Sequence, residues 1–145
     1  MAEVADLTVK TTESIFLNGY YRNTGVEYTV PNVKGVDARI VEIPSGSLVE
    51  LLKFSSSLAG ASAGTIQSDK LAYLRLSNLE STGSVYLNFI GSVSGSNAVK
   101  LTPGTSYTTN NTYLSGSNEE VVSLIAYVGG DTPGSKNIEY FLATK

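Results

Sequence analysis

Glu119 and Glu120 are the first residues to test for chemistry, because paired carboxylates can serve as acid and base, or acid and nucleophile, across a glycosidic bond. If that segment is extended, neighbouring side chains point to opposite faces, so the pair cannot flank one bond. A solvated loop edge accounts for them better. The run Gly129 to Pro133 offers Asp131 and some carbonyls to a calcium ion. Calcium takes six to eight oxygens, and no Asp-x-Asp-x-Asp spacing supplies them, so a turn is expected there. Gly60 to Gly64 and Gly91 to Gly95 are small-residue loops, but no Gly-Lys-Ser/Thr follows either one to cradle a phosphate. His, Cys and Trp are absent altogether from the 145 residues. That removes Ser-His-Asp and Cys-His catalysis, imidazole and thiolate metal ligands, and disulfides. The expectation is a non-enzyme with no cofactor and no metal.

Contact chemistry is better represented. There are nine tyrosines, a residue that brings a broad, stiff contact area with a polar tip. Tyr20 and Tyr21 stand out, since neighbours on a strand cannot both face one core. One of them must look outward or into a partner. Val4, Leu7 and Val9 punctuate a polar segment, residues 1–12, read as an N-terminal arm that could add to a neighbour as a strand. Partner contact is therefore assigned to Val4, Leu7, Val9, Tyr20 and Tyr21.

The elements that must carry these residues are strands. Charged residues make up only 16 % of the chain and apolar ones 41 %, which excludes disorder and leaves a surface of hydroxyls and amides. One domain, residues 13–145, follows the arm. Net charge is −3 and the basic residues are scattered, so nucleic acid is not an expected partner. No apolar run is long enough to span a bilayer as a helix, so no membrane is expected. Acids near Met1 replace the basic start of a secretory signal, which points to synthesis and retention in the cytoplasm or release within something larger.

Turn clusters divide the chain into a succession of short strands. Glu13 to Tyr21 reads as a strand ending in a turn at Arg22 to Gly25, and Val26 to Val30 as the next, closed by Pro31. Asp37 to Ile43, Leu48 to Phe54, Leu71 to Leu79, Ser84 to Ile90, Ala98 to Leu101, Ser106 to Tyr113, Val121 to Val128 and Asn137 to Ala143 follow. Leu71 shares a face with Tyr73 and Arg75, and Leu74 with Leu76. The two strands around the Glu80 to Gly83 turn are expected to pair as a hairpin. Pro103-Gly104 suits a type II turn. No run of ten residues or more has helical periodicity. The fold class is all-β: an antiparallel two-sheet β-sandwich, with jelly-roll connections as one way to join it.

The order of features from Ile43 to Lys145 resembles small virion structural proteins of tailed phages of marine and cyanobacterial hosts. The residues that carry the resemblance are Lys70-Leu-Ala-Tyr-Leu-Arg-Leu-Ser-Asn-Leu79, Val85-Tyr-Leu-Asn-Phe89, Val99-Lys-Leu-Thr-Pro-Gly-Thr-Ser106 and Ile138-Glu-Tyr-Phe-Leu-Ala-Thr144. Residues 1–42 lie outside it. The resemblance implies a capsid decoration (cement) protein that binds a major capsid protein on the virion exterior, assembles with itself as a trimer, and is made in the host cytoplasm. A tail or fibre module that recognises host glycans is the alternative.

Overall fold

The structure, a computed structural model, describes residues 4–55, 65–67, 70–91, 96–110, 120–128 and 134–145. Glu119, Asp131, Gly60 to Gly64 and Ser92 to Gly95 lie outside them. The described residues form eleven strands: β1 (Ala5–Leu17), β2 (Tyr20–Val33), β3 (Gly35–Ile43), β4 (Leu48–Ser55), β5 (Thr65–Gln67), β6 (Leu71–Asn78), β7 (Val85–Gly91), β8 (Ser96–Leu101), β9 (Ser106–Thr109), β10 (Val121–Val128) and β11 (Lys136–Thr144).

From β3 onward the strands build an all-β sandwich. One sheet has the order β3-β11-β6-β9 and the other β5-β4-β10-β7-β8. Apart from β5, which runs parallel to β4, every pairing is antiparallel. The chain changes sheet at almost every connection: β3 lies in the first, β4 in the second, β6 in the first, β7 and β8 in the second, β9 in the first, β10 in the second and β11 in the first. With the short β5 set aside, that is a jelly roll of two interlocked four-stranded sheets. Period-2 alternation puts Leu74 and Leu76 of β6 and Ile138, Tyr140 and Leu142 of β11 on the inner face, against Val85, Leu87, Leu124 and Ala126 of the facing sheet. Burying one such Leu or Ile side chain contributes about 1.5–3 kcal/mol.

Three expectations about pairing and facing are overturned. First, β6 and β7 do not form a hairpin; they lie in opposite sheets. Two strands that each carry an apolar face can meet face to face across a core as well as edge to edge, and periodicity does not separate the two. The link is held by Asn78, which is buried. Its amide Nδ2 donates to the carbonyls of Gly83 (3.1 Å) and Leu101 (3.0 Å), and its Oδ1 accepts from the Glu80 N–H (3.0 Å). Second, Leu71 does not share a face with Tyr73. Leu71 sits opposite Thr144 while Tyr73 sits opposite Ala143, so Ala72 is an extra residue in the ladder. That bulge turns Leu71 into the main core beside Leu74.

Third, the turn at Arg22 to Gly25 and the strand end at Pro31 do not occur. Both segments lie within β2. The chain reverses at Asn18-Gly19, where φ is +53° and +81° and Leu17 pairs with Tyr20. Both residues in the left-handed region is the signature of a type I′ hairpin turn. The expected arm of residues 1–12 likewise has no boundary at 12. From Ala5 it belongs to β1, which pairs with β2 as a long two-stranded ribbon. Near its base the register slips between Ala5 and Leu7, and Asn32 takes φ +62° to absorb the extra residue. The expected turn at Pro103-Gly104 does form: Gly104 takes φ +73° and the Thr105 N–H bonds the Thr102 carbonyl at 3.2 Å.

Candidate interaction surface

The ribbon stands on the outside of the four-stranded sheet. At its foot, Leu7, Val9, Val30 and Val33 pack on Tyr73 of β6 and on Phe141 and Ala143 of β11, in a second cluster separate from the sandwich core. Further along β6, β11 and β9 that outer face is polar: Arg75 Nη2 donates to Glu139 Oε1 at 2.7 Å, Arg75 also bonds Ser77, and Ser77 Oγ lies 2.7 Å from Ser106 Oγ. Beyond the foot, every residue from 10 to 29 is exposed.

Directly opposed residues of an antiparallel pair share a face, and the faces alternate along the ribbon. One face reads Thr8/Thr29, Lys10/Glu27, Thr12/Gly25 and Ser14/Asn23. It is polar, and Ser14 Oγ donates to Asn23 Oδ1 at 2.7 Å. The other reads Leu7/Val30, Val9/Tyr28, Thr11/Val26, Glu13/Thr24, Ile15/Arg22 and Leu17/Tyr20. That face is largely apolar, and only its foot is covered by the protein's own sheet. At the tip, Phe16/Tyr21 makes the polar side apolar as well, with ring centroids 4.9 Å apart. Tyr21, Tyr20, Val26 and Phe16 are 76, 72, 63 and 60 % exposed. Large apolar side chains held on a ribbon away from the core have the build of a contact element.

The five residues assigned to partner contact divide accordingly. Tyr20 and Tyr21 are at the ribbon tip and Val4 is exposed just before β1, whereas Leu7 and Val9 are half-buried on the molecule's own sheet. Ile15, Phe16, Leu17, Val26 and Tyr28 are surface residues that sequence reasoning passed over. Asn18-Gly19 between two β-rich runs was the signal that would have found them, since it fixes which residues flank the tip.

Other groups with chemical potential are tied into the fold. The Tyr140 hydroxyl donates to Asp37 Oδ2 at 3.2 Å, and Arg39 Nε donates to Asp37 Oδ1 at 3.1 Å. Burial, and then the Asp37 carboxylate, push the Tyr140 phenol above its usual range. On the outer face of the five-stranded sheet, Tyr86 stacks on Tyr127 at 5.2 Å, and Lys100 lies 5.7 Å from the Tyr86 ring centre. Because β7 lies between β10 and β8, these neighbours occupy both faces of Tyr86. Among the described residues, no group of three or more His, Cys, Asp or Glu is placed to hold a metal ion. No helix among them is long and apolar enough to cross a membrane.

No family model matches the chain, and no curated protein matches it. Among solved structures, the chain is similar to a protein of Bacillus endospore appendages, described as a novel family of disulfide-linked pili. The TM-score is 0.46 at 8 % identity, over 77 % of this chain and 87 % of that one. With no cysteine, this chain cannot make a disulfide link of its own.

Proposed function

We propose that this protein is a non-enzymatic structural component of a phage virion: a capsid decoration protein that binds the outer surface of the major capsid protein lattice through its β1–β2 ribbon. The observation that carries the reading is the ribbon itself, with Ile15, Phe16, Leu17, Tyr20 and Tyr21 exposed at its tip. A lattice repeats one binding site many times, so modest contacts per copy suffice when copies are linked or clustered. A surface with few charges keeps such contacts insensitive to salt. The likeness of residues 43–145 to phage virion proteins supports the same role.

Two measurements test it. Quantitative mass spectrometry of purified virions is expected to find this chain on the order of hundreds of copies per particle, as lattice symmetry requires. A handful of copies overturns the decoration role in favour of a tail component. Co-sedimentation with capsids stripped of this protein is expected to weaken at least about tenfold for Phe16→Ser with Tyr21→Ser, the loss of a single good anchor residue. Unchanged binding would move the contact off the ribbon.

A further inference from the structure

β3 is an edge strand. It pairs with β11 on one side, and among the described residues no strand lies on the other. It is nine residues long, free of proline, and continuous in its register with β11. Val36 and Ile40 project from its outer face, 59 and 64 % exposed, beyond the area the ribbon foot covers. An edge of this length and regularity offers a row of backbone donors and acceptors to another strand.

We propose that β3 is a self-association edge, pairing antiparallel with β3 of a second copy about a twofold axis through Ala38. The sequence of the strand selects this register. An antiparallel edge presents the N–H and C=O of alternate residues, so the axis must pass through a residue rather than between two. With the axis on Ala38, Val36 faces Ile40 of the other copy, Asp37 faces Arg39, and Lys34 faces Glu42, each pairing occurring twice. Moving the axis by one residue sets Asp37 against Asp37 or Arg39 against Arg39. Edge charges ordinarily discourage pairing, but here opposite signs lie at mirrored positions, and they attract only in the Ala38 register. Asp37 and Arg39 already lie 3.1 Å apart within one chain, so the pair of copies would assemble four alternating charges. The contact merges two four-stranded sheets into one of eight. It is twofold, so it makes a dimer, whereas the trimer implied by resemblance needs a different surface. It stands independently of the capsid role.

The full chain carries no cysteine, which makes single-cysteine cross-linking clean. Residues on the axis have Cβ atoms about 4.5–5.5 Å apart across the strands, near disulfide reach. Ala38→Cys is therefore expected to oxidise to a covalent dimer, and Ile40→Cys alone to remain at least tenfold less linked. A mixture of Val36→Cys and Ile40→Cys chains should link to each other. Arg39→Asp is expected to weaken dimerisation at least tenfold in sedimentation equilibrium, and Asp37→Arg with Arg39→Asp to restore it. Circular dichroism verifies that each variant is folded. Ala38→Cys linking no better than Ile40→Cys, or no rescue by the charge swap, overturns the proposal.

Discussion

Asn78 alone ties two chain crossings together, through its side chain and its backbone. Its side chain holds the β6–β7 link and the end of β8. Its backbone N–H donates to Thr105 (2.9 Å) and its carbonyl accepts from Gly104 (3.1 Å), both in the β8–β9 link. Asn78→Ala leaves two carbonyls and one N–H without that partner, and each unsatisfied buried group costs about 1–3 kcal/mol. We expect a loss of at least about 2 kcal/mol in urea unfolding. Leu74→Ala and Leu87→Ala, at core positions on facing sheets, are each expected to cost about 2–5 kcal/mol. Tyr140 sets an alkaline limit. Its folded-state pKa is raised by burial and by Asp37, so the neutral phenol is the form the fold prefers. The stability it contributes is complete below the ordinary value of about 10 and disappears as pH rises through the folded value. Urea midpoints at pH 9 and pH 11 should therefore fall further for the wild type than for Tyr140→Phe. At this scale the sequence was informative about which strand residues face inward, because alternation reports facing. It failed at Leu71, where an inserted residue reverses the alternation and leaves no mark in composition.

The ribbon is the element that local rules describe best and that was read least well. Asn18-Gly19 carries the turn, and nothing else in residues 5–33 is needed to reverse the chain. Arg22 to Gly25 has the composition of a turn, yet pairing with Ser14, Glu13 and Thr12 holds it extended. Composition marks where a turn is allowed, and cross-strand partners decide where it occurs. Gly19→Val, a β-branched residue at φ +81°, should strain the tip by about 1–2 kcal/mol. Since no residue from 10 to 29 is buried, that strain should stay local. Hydrogen exchange of the tip amides is expected to accelerate, while the global unfolding midpoint stays where it was.

For the molecule as a whole, most strand positions from β3 onward were legible, because clusters of Gly, Pro or Ser separate most of the apolar runs; the three-residue β5 was not read. The strands' partners were not legible. In a jelly roll the neighbours in a sheet are distant in sequence: β3 pairs with β11, and β4 with β10. Such pairings depend on burial summed over the whole core, which no local pattern encodes. The two apolar clusters also divide the molecule's stability unequally. Replacing residues 12–25 by Asn-Gly, which keeps the ribbon foot on Tyr73 and Phe141, should leave unfolding free energy within about 1 kcal/mol of the full chain. The same variant should lose the proposed attachment to capsids, and its intact folding would separate holding from standing.

Lys10 to Leu17 spans roughly 25 Å at about 3.3 Å per residue. A rod of that length lets the globular body hover clear of whatever its end touches. Gaps, ridges or flexing in the target would then be absorbed by reach instead of by reshaping the sandwich, and lengthening or shortening the rod two residues at a time would tune the stand-off without rotating its greasy side away.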